Sequence, residues 1–309
     1  MIQSRLSPLP KTDTDAESEA EDLFTTFLPH LFPDEAPRFH GDPGECLLYA
    51  SPRYGTLTIQ LPSLPNKPSN ESSLFAHFLW GAGLIIADAV EAAHSTHNDG
   101  ETLSLQRWRV DGEKVLELGA GAALPSIICA LAGAAEITIT DHPASPALQG
   151  AIAHNVQQNI PSPIARSCRI AIQPHEWGNL APDDNAWAAS CKSHFTRIIA
   201  ADCFWMSAQH GNLARTMKWF LAPRGRVWVV TGFHNGRGIV GEFFEAAREA
   251  GLEVENVYER DLGSEMGMGT GTGTGSGEVR REWVPVREGE NRENRTRWCV
   301  VAVLKHAVS

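Results

Sequence analysis

The chain has 309 residues, 42% of them hydrophobic, enough for one large domain or two small ones. A net charge of -11 argues against a nucleic-acid substrate gripped through its phosphates, and six scattered cysteines without a C-x-x-C pair argue against a disulfide framework or a zinc site. No apolar run reaches the length of a membrane span and no secretory leader opens the chain, so a cytoplasmic protein without a membrane partner is expected.

Residues 1–22 are polar and acidic, with Asp13, Asp15, Glu17, Glu19, Glu21 and Asp22, and read as a disordered tail. Residues 23–72 read as an N-terminal extension. Within it, 23–32 is a short docking segment, Tyr49 to Leu61 alternates like a strand, and 61–70 is a proline-rich loop. Residues 73–93 carry an apolar stripe at helical spacing, through Leu74, Phe78, Leu79, Ile85, Ile86 and Val90, with Ser72 or Ser73 as a cap. Gly81 and Gly83 in that stretch mark a bend or a close approach.

Lys114 to Pro125, KVLELGAGAALP, joins an apolar strand to an apolar helix through the bend Gly119-Ala120-Gly121. Pro125 falls in the first helical turn, where a missing N–H costs least. The bend needs glycine because the backbone turns tightly and a ligand comes close. Two ligand classes compete for it. A dinucleotide turn reads G-x-G-x-x-G/A, but the position three after Gly121 is Leu124. Glu117, two before Gly119, disfavours a pyrophosphate and suits a ligand with an amine and a positive sulfonium, S-adenosylmethionine (SAM). A G-x-G alone decides nothing, so NAD and SAM are separated further along the chain.

Strands are predicted at 136–140, 169–172, 196–201, 225–231, 252–258 and 297–304, and helices at about 144–159, 207–221 and 239–250. The alternation calls for a parallel sheet with right-handed crossovers. The last two strands have no helix between them and should pair antiparallel. The fold class expected is α/β: a Rossmann-like, seven-stranded, mostly parallel sheet with an antiparallel C-terminal strand and helices on both faces. The run GMGTGTGTGSG, inside 263–280, has nothing apolar to bury and reads as a flexible loop.

Counting the strand before the glycine bend as the first, Asp141 ends the second, 22 residues after Gly119, where an acid grips a ribose diol; a turn-forming Asp before His142-Pro143 is the competing reading. Trp177, in HEWG after the third strand, could lie against an adenine or simply fill the rim. Asp202 ends the fourth strand, where ligands bind in open α/β sheets, and can orient an amine with Trp205 or Phe204 as an aromatic wall. Cys203 is a poor nucleophile because no histidine but His210 is near in sequence, and His77 and His142 read as structural. The histidines form no H-E-x-x-H pattern, so no metal is expected.

From about residue 73 to 305 the chain resembles the seven-β-strand, family-16 lysine methyltransferases. More closely it is similar to their fungal branch labelled nicotinamide N-methyltransferase-like. The resemblance rests on LFAHFLWGAG, VLELGAGAALPSI, ITITDHP, the His154-Asn155 pair, HEWG, AADCFW, and REWVP followed by RTRWCVVAVL, in that order. It implies a SAM-dependent methyltransferase domain over 73–309. It implies that Trp80, Glu117, Gly119, Ala120, Gly121, Asp141, Trp177 and Ala201 surround SAM. Asp202 falls on the acid of the family's D-x-x-Y/F motif, which faces the substrate amine, but the fourth position is Trp205, which keeps an aromatic wall and removes a phenolic hydroxyl. One member of the branch methylates the N-terminal amine and an adjacent lysine of translation elongation factor 1-alpha.

The expected reaction is in-line methyl transfer to an amine, with Asp202 and Trp205 at the reacting edge and a protein, elongation factor 1-alpha among the candidates, as partner to a monomeric enzyme. Methylation of a small nicotinamide-like molecule, a catalytically silent SAM-fold binding module, and an NAD enzyme are the competing readings.

Overall fold

The computed structural model describes residues 3–9, 39–64, 76–94, 106–262 and 279–308. The acidic stretch 10–22, the docking segment 23–32, the caps Ser72 and Ser73, and the Gly/Thr run 263–278 lie outside the described residues. Residues 3–9 fall within the expected tail, but they are structured. Gln3–Arg5 is a 3₁₀ turn and Leu6–Pro8 (β1) pairs antiparallel with Cys46–Ser51.

In chain order, Phe39–His40 is β2, Cys46–Ser51 is β3 and Gly55–Gln60 is β4; the expected single strand from Tyr49 to Leu61 is instead a hairpin that turns at 52–54. Leu79–Trp80 (β5) pairs with β2, and α1 runs from Gly81 to Ala93. The expected helix start at residue 73 is therefore corrected. Residues 76–80 are not helical, because Leu79 and Trp80 are drawn into a strand pair and Trp80 is extended at φ -83, ψ 144. No side chain caps α1.

The main sheet follows: β6 (Lys114–Leu118), β7 (Glu136–Asp141), β8 (Arg169–Pro174), β9 (Phe195–Ala201), β10 (Leu221–Gly232), β11 (Leu252–Asp261), the two-residue β12 (Arg280–Arg281) and β13 (Trp298–His306). Their order is β12-β11-β13-β10-β9-β6-β7-β8. Strands β8, β7, β6, β9 and β10 run parallel, and β13 enters antiparallel between β10 and β11. The seven expected strands are all present, and β12 adds a short edge. β13 is buried through most of its length, which is why it reads as a nearly unbroken apolar run; β7 is buried along its whole length although Glu136, Thr138, Thr140 and Asp141 alternate with or follow its isoleucines.

Helices α2 (Leu124–Leu131), α3 (Ala151–Asn159), α4 (Ser162–Ser167), α5 (Ala186–Ser190), α6 (His210–Phe220), α7 (Arg237–Glu249) and α8 (Arg292–Thr296) complete the described elements. The helix expected at 144–159 is divided at Gly150, whose φ of +129 interrupts it after a 3₁₀ turn at Pro146–Gln149. The N-terminal hairpin is tied into the core. Asn155 donates to the carbonyls of Gln60 (2.9 Å) and Ala122 (3.0 Å), and Asn159 donates to that of Thr58 (2.7 Å). Leu47, Tyr49 and Ile59 share one apolar cluster with α1, α2 and the main sheet, so residues 39–64 are part of the same packed body.

Candidate active site

The carboxyl ends of β6, β7, β8 and β9 open on one cleft. This edge collects ligands because the loops leaving parallel strands and the helix N-termini that follow them converge there. Trp80, Glu117, Gly119, Ala120, Gly121, Asp141, Trp177, Ala201, Asp202 and Trp205 all line it, although they come from five separate stretches of chain.

The floor is the turn after β6. Gly119 and Gly121 have φ of +66 and +53, which suit glycine. A Cβ at Gly119 would sit 3.1 Å from Cys203 Sγ and 3.4 Å from Trp177 Cζ2, so the bare backbone is what leaves room here. Ala123, in left-handed conformation, caps α2 without a side-chain bond. Glu117 takes over that task from the strand: its Oε2 accepts from the Ser126 N–H (3.1 Å) and hydroxyl. Burial pushes the Glu117 carboxyl up to about 8, against the Ser126 bonds that lower it.

Asp141 braces the same turn from β7. Its Oδ2 accepts from Gly121 N–H and its Oδ1 from His142 N–H, both at 2.8 Å. Burial raises its pKa and these bonds pull the other way. His142 lines the cleft, and its Nδ1 accepts from Ala144 N–H at 3.2 Å.

Asp202 follows β9 with φ +53, a left-handed conformation that costs a non-glycine residue about 1–2 kcal/mol. Such an outlier points to function. Its Oδ1 accepts from Gly232 N–H (2.8 Å), His234 Nε2 (2.9 Å) and the Thr231 hydroxyl (3.2 Å). Burial acts to raise this carboxyl, but His234 and the two other donors outweigh it, and the pKa is lowered. Trp205 is half-buried, and its carbonyl accepts from Asn235 Nδ2 at 2.8 Å.

Cys203 lies in the cleft wall as a thiol, its pKa raised well above the ordinary value by burial. His77 is buried against Phe78 and sits outside the cleft lining, in keeping with packing. His175 lines the cleft, but its ring packs against Trp187 and Phe220, and burial lowers its pKa to about 4. The sequence argument missed His234 and Thr231. Their signal was position: both lie at the carboxyl end of β10, beside the strand that leads to Asp202.

The lining acids are Glu117, Asp141, Glu176 and Asp202, and among the described residues no Lys or Arg joins them. A cleft of this charge suits a ligand with net positive charge and repels phosphates. SAM, with a sulfonium and an ammonium against one carboxylate, fits both the charge and the glycine floor; a dinucleotide fits neither the charge nor Leu124.

Comparison with known proteins agrees. The lysine methyltransferase family model matches residues 66–250. The protein N-terminal and lysine N-methyltransferase EFM7 of Yarrowia lipolytica is 31% identical over 61% of this chain and 69% of its own length. The protein of the same name from Gibberella zeae is 33% identical over 60% and 69%, and that from Candida glabrata 29% over 80% and 88%. Among solved structures, a methyltransferase complexed with SAH superposes with a TM-score of 0.50 at 12% identity, covering 94% of this chain and 67% of that one, a likeness of fold. The chain belongs to the lysine methyltransferase family and is a SAM-dependent methyltransferase.

Proposed function

We propose that this enzyme methylates a protein amine, a lysine side chain or an N-terminal α-amine, and that translation elongation factor 1-alpha is its substrate. One observation carries the role of Asp202. Three donors converge on Oδ1, and among the described residues none reaches Oδ2, which leaves that oxygen for an incoming amine. The relatives, named as protein N-terminal and lysine N-methyltransferases, support a protein substrate.

When bound, SAM supplies an electrophilic methyl group on its sulfonium. The residues of this chain supply the rest. Gly119, Ala120 and Gly121 would hold its methionine part, with Glu117 for the ammonium. Asp141, which braces the turn, would take the ribose, Trp177 the adenine, and Trp80 and Ala201 would close the sides. A lysine amine starts near ~10.4 and an α-amine near ~7.7–8, so either must shed a proton before it attacks. Desolvation against Trp205 and Trp80 favours the neutral amine. Asp202 accepts a hydrogen bond from that amine through Oδ2 and orients its lone pair toward the methyl group; alignment of this kind supplies much of the rate. Trp205 shapes the channel without a hydroxyl to contribute. The enzyme acts as a monomer in the cytoplasm, where translation factors work.

The test is an assay with methyl-labelled SAM and elongation factor 1-alpha produced in bacteria, followed by mass spectrometry of the labelled protein. A mark on its N-terminus or on a lysine supports the proposal. Label transferred only to nicotinamide sinks it. Light scattering of the purified enzyme and imaging of a tagged copy check the monomer and its location.

A further inference from the structure

His234 belongs to no motif that identified the site, yet it touches both halves of it. Its Nε2 donates to Asp202 Oδ1 at 2.9 Å, and its ring lies edge-on against Trp80, centroid to centroid 4.9 Å. Asp202 and Trp80 both line the cleft. Room for the fold-back comes from Gly232: a Cβ there would stand 2.8 Å from His234 Cε1. Gly232, two residues before His234, is what lets the imidazole fold back to the Asp202 carboxylate.

The consequence is geometric. An aspartate carboxylate has two equivalent oxygens, and rotation about its last bond exchanges them. Gly232 N–H and the Thr231 hydroxyl hold Oδ1 from the end of β10. His234 adds a third donor to the same oxygen, from a ring held in place by packing against Trp80. These three donors make the two oxygens unlike: Oδ1 is engaged inside the protein, and among the described residues no donor reaches Oδ2.

We propose that His234 is a positioning residue for methyl transfer, whose imidazole N–H locks Asp202 so that Oδ2 faces the substrate amine. The proposal rests on the reading of Asp202 as the carboxylate that receives that amine. His234 touches no reacting atom, and its effect falls on turnover more than on cofactor binding.

Two substitutions separate the hydrogen bond from the packing. His234→Gln keeps an amide donor at the reach of Nε2 and loses the ring; His234→Phe keeps the ring against Trp80 and loses the donor. Each full-length variant is assayed for SAM affinity by calorimetry, for kcat and KM with bacterially produced elongation factor 1-alpha, and for the pH titration of the Asp202 carboxyl by carbon NMR. We expect His234→Gln to keep kcat within about threefold of the parent. We expect His234→Phe to lose at least about 30-fold in kcat with SAM affinity within about twofold, and its Asp202 to titrate at higher pH. Parental turnover in His234→Phe, or equal losses in both variants, would overturn the proposal. The carboxyl titration needs no substrate, so it decides whether His234 controls Asp202 even if elongation factor 1-alpha is not methylated. Full turnover in Asp202→Asn would remove Asp202 and His234 together. A dead Asp202→Asn beside an active His234→Phe would remove His234 alone.

Discussion

Two groups of buried acidic side chains among the described residues make a contrast: the acids of the cleft have no guanidinium partner, and those beside β11 have several. In the cleft, Glu117, Asp141 and Asp202 are 1%, 7% and 7% exposed, with no Lys or Arg among the described lining residues. At the β11 edge, Glu259 is fully buried and bonds Arg237 Nη1 (2.6 Å), Arg237 Nη2 (2.8 Å) and Arg281 Nε (2.6 Å). Glu290 takes Arg237 Nε (2.6 Å) and Arg281 Nη2 (2.7 Å). The pKa directions follow. Burial raises Glu117 and Asp141, whereas at Glu259 and Glu290 burial is outweighed by the arginines and both fall. A compensated cluster is an anchor: Arg237 also accepts the faces of Phe233 and Trp283 and so fastens the REWVP segment beside the end of β10. Within the cleft Asp202 is offset by His234, but burial outweighs the hydrogen bonds at Glu117 and Asp141, and a cation from outside the chain would favour their ionised forms.

The largest effect that could break this contrast is Arg237→Ala. Removing one partner of a buried pair costs about 3–5 kcal/mol, because the acids left behind stay desolvated. Thermal unfolding should show that loss, and a change within error would deny the anchor role. The cluster should also fail on the acid side. Glu259 and Glu290 have depressed folded pKa values, so their contribution is present above the unfolded value near ~4.3 and is lost as pH falls through the folded one.

Next is Asp202→Ala. Loss of one preorganised contact to a reacting group lowers kcat by roughly 10²–10³-fold. SAM affinity should be kept if, as proposed, Asp202 serves the amine rather than the cofactor. Intact turnover would take Asp202 out of the mechanism.

Gly119→Ala should weaken SAM binding by about tenfold, from left-handed strain of about 1–2 kcal/mol and a methyl group in the floor. Calorimetry would show it; unchanged affinity would mean that the cofactor does not rest on this turn.

The smallest effect sharpens the charge argument. Glu117, with its folded pKa raised to about 8, gives stability that is full below its unfolded value and lost as pH rises through about 8. A bound cation favours the ionised carboxylate and reverses that shift. SAM binding near pH 7 should therefore release a fraction of a proton, seen by calorimetry in buffers of different ionisation enthalpy. Glu117→Gln should abolish the release and flatten the alkaline loss of stability. Equal release in parent and variant would place the proton elsewhere.

Much of this was legible before any coordinates. Period-two and unbroken apolar runs marked the seven strands, because burial on one or both faces writes itself into local composition. The consecutive last strands announced β13 entering antiparallel beside β11. Misreadings came where long-range partners override local preference. Leu79 and Trp80 carry a helical stripe but are extended, since Phe39 and His40 supply a strand to pair with. Residues 6–8 sit in a polar leader but find an edge on β3.

The chain by itself determined the strand-turn-helix at Gly119 to Gly121, the acids that end β7 and lie after β9, and the absence of a dinucleotide pattern. All are local: a backbone that must bend, and residues at fixed distances along one strand. Tertiary structure alone decided which oxygen of Asp202 is used within the protein, that Glu117 caps α2, and that the acids of the cleft lack the arginines given to Glu259. Each depends on groups 9 to 32 residues away in sequence, brought together only by sheet order and the packing of strand ends.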